Sequence, residues 1–116
     1  MKAKSDRLFI YDIANCCHKI QSFVANRSKD DFEKDVMLQD ALVRNLEIIG
    51  EASKNLSSEL RDSAPNINWR DIMRMRDKIV HHYFRIDLDI VWQTVAEDIP
   101  QLTPKIEAIL EVITQQ

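Results

Sequence analysis

Five basic residues, Arg70, Arg74, Arg76, Lys78 and Arg85, stand within sixteen positions beside only two acids, Asp71 and Asp77. The local balance is +3, and His81 and His82 lie in the same stretch. Imidazole titrates near neutral pH and can take or give a proton. A guanidinium supplies a permanent cation with two-point contacts for a phosphate. An Arg and a His that reach one phosphate are therefore equipped for phosphate-ester chemistry. From Asp87 onward the chain carries six acids and one Lys, so the positive charge is concentrated in one segment of an acidic protein of net charge −3.

Helical spacing places Trp69, Ile72, Met73, Arg76, Ile79, Val80 and Tyr83 on one face, apolar apart from Arg76 and the Tyr83 hydroxyl. A buried Arg needs a carboxylate or an opening into a polar cleft. Glu47 and Glu51 are the two candidate partners. Asp77 and His81 are four residues apart on a second face with Arg70 and Arg74, so the carboxylate can orient the imidazole. Arg76 and His81 are separated by about 140° on an ideal helix. Either the helix ends near His81, or two copies of it meet at a shared cleft. His81 and His82 are adjacent and lack a third suitably spaced ligand, so no metal is expected.

The elements that must carry these residues are helical. The chain has one Gly and three Pro in 116 residues, too few breakers for a turn-rich β fold. A first helix is expected over residues 5–25, with Ser5 as N-cap and Ile10, Ile13, Cys17, Ile20 and Val24 at helical spacing. A long second helix over 29–56 shows two apolar stripes: Phe32, Val36, Val43, Leu46, and Leu38, Leu42, Ile49, Ala52. Gly50 lies inside it, where it costs about 1 kcal/mol relative to Ala and points to a close helix crossing or to access to a cleft. A connector over 57–68 holds one short helical turn. Asn68 then caps a third helix running to about His82, and Asp87 or Asp89 opens a fourth. Pro100 and Pro104 interrupt the pattern and mark the start of a last helix through Ile106, Ile109, Leu110 and Ile113. Trp69 and Trp92 are expected as core or interface anchors. The fold class is all-α, an antiparallel bundle of four to five helices.

Composition bounds the rest. A chain of this length supports one domain, taken as residues 1–116. Hydrophobic residues at 45% and charged residues at 30% suit a globular chain rather than a disordered one. No apolar run is long enough for a membrane span, and no signal-peptide pattern follows Met1. Cys16 and Cys17 are adjacent and alone, which fits reduced thiols and a cytoplasmic setting. The acidic balance argues against broad nucleic-acid binding, and no DNA partner is expected.

The segment Arg76-Asp77-Lys78-Ile79-Val80-His81-His82-Tyr83 resembles the Arg-x4-His-x-Tyr motif of the HEPN superfamily, specifically the HepT-like proteins. The likeness extends to Trp69-Arg70-Asp71-Ile72, to residues 87–92 and to residues 41–52. It implies a small helical bundle that forms a homodimer with the motif near its interface. It implies the toxin half of a toxin–antitoxin pair, a metal-independent endoribonuclease acting on RNA without a cofactor. The partner it implies is an MntA-like nucleotidyltransferase antitoxin, which attaches AMP to the motif tyrosine. Arg76 and His81 then become the catalytic pair, Asp77 the polar residue that follows the Arg, and Tyr83 the modification site. Arg74, Glu51 and His82 are candidate supports, His82 being a second imidazole at the motif's variable position.

The residue chemistry is compatible with that role. RNA can be cleaved by its own 2′-hydroxyl, which needs a proton-transfer group and a cation on the crowded phosphate. A second reading, from a different class, is a non-catalytic helical dimer that binds a nucleotide or docks a nucleotidyltransferase. Adenylylation of Tyr83 without RNase activity would distinguish it.

Overall fold

The computed structural model describes residues 2–81 and 85–115, with side chains from Ser5 onward. The fold is an all-α bundle. Its elements in order are α1 (Lys2–Val24), α2 (Lys29–Glu33), α3 (Val36–Asn55), α4 (Ser58–Ser63), α5 (Trp69–Met73), α6 (Met75–Ile79), α7 (Leu88–Gln93), a π-helical turn (Thr94–Asp98) and α8 (Ile99–Thr114). No helix among the described residues is long and apolar enough to cross a membrane.

Helix α1 packs along both α3 and α8. Ile10, Ile13, Cys17 and Ile20 from α1, Leu42, Leu46 and Ile49 from α3, and Ile106 from α8 are sealed from solvent in one core. Residues three and four apart on each helix make up this seam, as the apolar spacing requires. Trp69 is buried as expected, and Trp92 stacks at a tilt on Phe32, ring centroids 5.3 Å apart. Asp6 ties α1 to the start of α4: its carboxylate accepts from the backbone N–H and the hydroxyl of Ser57 at 2.8 and 2.7 Å. Gln39 donates to the last carbonyls of α2, those of Phe32 and Glu33.

Several expected boundaries move. Ser5 lies inside α1 rather than capping it. The expected second helix is two helices. Asp35 takes extended backbone angles and accepts from the Leu38 N–H, so it starts α3 afresh after α2 has ended. An aspartate that can bond its own backbone competes with helix continuation, and the break lets fully buried Phe32 turn inward. The third helix is broken at Arg74 and ends at Ile79, three residues short of His82. By contrast, Pro100 and Pro104 do not separate two helices. Helical backbone runs through residues 88–114, with the π-turn absorbing the mismatch ahead of Pro100.

Gly50 explains part of this arrangement. A Cβ built there would meet the carbonyl oxygen of Ile72 at 3.1 Å and Cβ of Met75 at 3.3 Å. The α5–α6 junction therefore sits directly on the one position of α3 without a side chain, the close crossing that the lone glycine announced.

Candidate active site

Three short-range devices carry the basic segment. Asn68 accepts from the Asp71 N–H and starts α5. Lys78 Nζ bonds Asp71 at 2.9 Å, binding α6 back to α5. Beyond Ile79 the chain leaves the helix. Val80 becomes extended and pairs antiparallel with Ile86 in an isolated bridge. The N–H of His81 donates to the Arg85 carbonyl at 2.7 Å and that of Asp87 to the Ile79 carbonyl at 2.9 Å. Two β-branched residues at the bridge favour extended backbone over a further helical turn.

The break at Arg74 changes which side chains face the core. Trp69, Ile72, Met75 and Ile79 form the buried stripe. Arg76 does not share it: its side chain is 62% exposed. The expected buried Arg is thus an Arg at the mouth of a cleft of about 410 Å³. Phe9 and Asp12 of α1, Arg44, Glu47 and Glu51 of α3, and Met73 line that cleft with it. Of the two candidate carboxylates, Glu47 takes the guanidinium, Nε to Oε2 at 3.9 Å. This separation is too long for a hydrogen bond, and a half-exposed pair of this kind holds its partners weakly. Glu51 shares the cleft without pairing to Arg76.

His81 lies outside this cleft, half-exposed at the end of the same segment. Its Nε2 stands 3.1 Å from Asp87 Oδ2. The expected partner, Asp77, is exposed on α6, and the helical four-residue spacing no longer applies because α6 stops before His81. Of the two routes left by the separation of about 140° on an ideal helix, the first is met: α6 ends at Ile79, ahead of His81. Arg74 is exposed at the α5–α6 junction. His82 and Tyr83 lie outside the described residues.

Asp87 is the site residue that the sequence reading missed, having been read only as a helix start. It performs that role too, since Oδ1 accepts from the Ile90 N–H. These bonds, the Ile90 N–H first and then the His81 ring, hold its carboxyl below the usual carboxylate range. The available signal was a pair of β-formers, Val80 and Ile86, one beside His81 and the other beside an N-capping Asp.

Both cysteines are free and buried. Burial pushes the Cys17 thiol up to about 11 and raises that of Cys16, so neither is a ready thiolate. Among the described residues no cluster of three or more His, Cys, Asp or Glu could hold a metal ion.

Comparison with known proteins places this chain in a class. The family model described as ribonuclease HepT-like matches residues 13–109. A probable ribonuclease HepT of Thermococcus cleftensis is 42% identical over 106 residues, covering 91% of this chain and 96% of the relative. Provisionally named RNases of Methanocaldococcus jannaschii and Caldanaerobacter subterraneus are 39% and 40% identical, covering 97% and 93% of this chain and 93% and 96% of their own lengths. No solved structure matches. The chain belongs to the HepT-like ribonuclease family, a class of endoribonuclease.

Proposed function

We propose that this chain, acting as one HEPN-like domain over residues 1–116, cleaves RNA without a metal ion. Arg76 binds the scissile phosphate, and His81 carries the proton. One observation supports the reading above the rest: an exposed, weakly held guanidinium and a carboxylate-backed imidazole stand on the same short segment of a HepT-like ribonuclease.

The reaction needs only the substrate and these side chains. His81 takes the proton of a 2′-hydroxyl, whose oxygen attacks the adjacent phosphorus. Arg76 neutralises the charge that gathers on the non-bridging oxygens. The bond to the 5′-oxygen breaks as the protonated His81 gives its proton to that oxygen, leaving a 5′-hydroxyl and a neutral imidazole. Asp77, following Arg76, and exposed Arg74 supply the polar and basic surroundings. A homodimer brings two such sets to one composite cleft.

The chain serves as the toxin of a toxin–antitoxin pair. Its partner is a nucleotidyltransferase antitoxin that adenylylates Tyr83, adding a bulky anion two residues from His81. That anion blocks RNA by repulsion and volume.

Incubation of purified protein with an RNA pool in EDTA tests this reading. Fragments ending in a 2′,3′-cyclic phosphate and a 5′-hydroxyl are expected. Fragments with 5′-phosphate ends, or cleavage restored only by a divalent cation, would overturn it.

A further inference from the structure

His81 and Asp87 stand on the two arms of the Val80–Ile86 bridge, and two backbone hydrogen bonds fix the arms in register. The two oxygens of Asp87 have separate tasks. Oδ1 accepts from the Ile90 N–H at 3.1 Å and begins α7, and Oδ2 faces Nε2 of His81 at 3.1 Å. An ionised carboxylate only accepts hydrogen bonds, so the ring nitrogen opposite it carries the hydrogen. In the neutral imidazole the lone pair is then on Nδ1.

Among the described residues, the other charged groups around His81 do not compete for that nitrogen. On α6, Asp77 points to solvent and Lys78 is bound to Asp71. On the return arm, Arg85 meets His81 through its backbone carbonyl. On α7, Asp89 is paired with Lys29 at 2.9 Å. Among the described residues, Asp87 is the ionic partner that reaches the imidazole.

We infer that Asp87 is a positioning residue, holding His81 in the Nε2–H tautomer so that Nδ1 is the atom that exchanges a proton with the substrate. The substrate half of this statement rests on the ribonuclease reading above; the tautomer half does not. The same carboxylate starts α7, so the orientation of the imidazole is set by a helix N-terminus rather than by a free loop.

The split between the two oxygens makes the substitution Asp87→Asn informative. Asn is as good an N-cap as Asp, and its single oxygen is claimed by the Ile90 N–H. The amide NH2 is left facing Nε2, and it can only donate. The ring must then accept at Nε2 and carry its hydrogen on Nδ1, the tautomer unable to take a proton there. Asp87→Ser keeps a cap but leaves the imidazole without a partner.

The test uses the full chain labelled with 15N. Long-range ring correlations of His81, assigned by their loss in His81→Ala, are recorded above the imidazole pKa. They should report Nε2–H in the wild type and Nδ1–H in Asp87→Asn, with Asp87→Ser a mixture. Single-turnover RNA cleavage in EDTA should slow by about 100-fold or more in Asp87→Asn, the scale of losing a proton-transfer group, with RNA affinity retained. A wild-type ring protonated on Nδ1, or an Asp87→Asn spectrum identical to wild type, would overturn the inference. A tautomer that switches as described in a protein that cuts no RNA would uphold the positioning role of Asp87 and refute the ribonuclease reading instead.

Discussion

Replacing Gly50 with Ala tests how the site is held. The new Cβ would stand 3.1 Å from the Ile72 carbonyl oxygen and 3.3 Å from Cβ of Met75. One of these is backbone and the other is fixed to backbone, so neither can swing away as a side-chain tip would. The α5–α6 junction must retreat by a few tenths of an ångström. Two terms oppose each other. Ala gains about 1 kcal/mol in helix propensity over Gly, and overpacking a tight contact costs about 1–3 kcal/mol. The net is a loss between roughly zero and 2 kcal/mol. For a chain of this length, unfolding entropy of about 2.1 cal/mol/K per residue makes 1 kcal/mol equivalent to about 4 °C in Tm. The expected fall is therefore up to about 8 °C by thermal melting. Gly50→Val, which adds two more carbons at the same place, should fall further. Because the displaced junction carries Arg74 and Arg76, RNA cleavage should drop in Gly50→Ala even at temperatures where the variant is fully folded. A Tm raised by about 4 °C with unchanged cleavage would show that propensity alone operates, and that the crossing does not set the site.

Two further predictions concern the scaffold. Asp6→Ala strips both hydrogen bonds from Ser57 and should cost about 2–3 kcal/mol in urea melts, the range for bonds to a charged group; Asp6→Asn should cost less, and equal losses would contradict the tether. The Cys17 thiol is raised by burial from 9.0 to about 11. A raised folded-state pKa means the stabilisation is complete below the unfolded value and is lost as pH climbs through the folded one. Stability should therefore fall between about pH 9 and 11 more steeply in the wild type than in Cys17→Ala, by up to about 2.7 kcal/mol at 1.36 kcal/mol per pKa unit, and parallel curves would refute the assignment.

Much of the framework is local, and for that reason legible in the chain. Asn68 and Asp87 cap their helices through their own neighbours, and the scarcity of Gly and Pro correctly indicated helices. Gly50 announced its crossing because a lone glycine inside a helix is costly unless something occupies the space. The split at Asp35 is a local cap that the apolar stripes overran, but the failures around the site are tertiary. No glycine or proline marks the break at Arg74; packing of the α5–α6 junction over Gly50 accompanies it. Once that break rotated the segment, a face drawn on one continuous helix put Arg76 in the core when it belongs in a cleft. His81 was matched to Asp77 by helical spacing, whereas its partner lies six residues on, across a bridge that helical geometry does not describe. The prolines misled in the opposite sense, since a π-turn lets helical backbone run past them.

Single-turnover cleavage of one RNA substrate in EDTA, comparing wild type with Arg76→Ala and His81→Ala, bears most directly on the central claim. Both side chains are substantially exposed, so both variants should fold with wild-type melting behaviour. The account predicts cleavage by wild type and a loss of about 100-fold or more in each variant, the scale of removing a proton-transfer group or a charge-stabilising donor. Either variant cutting RNA at the wild-type rate would contradict it.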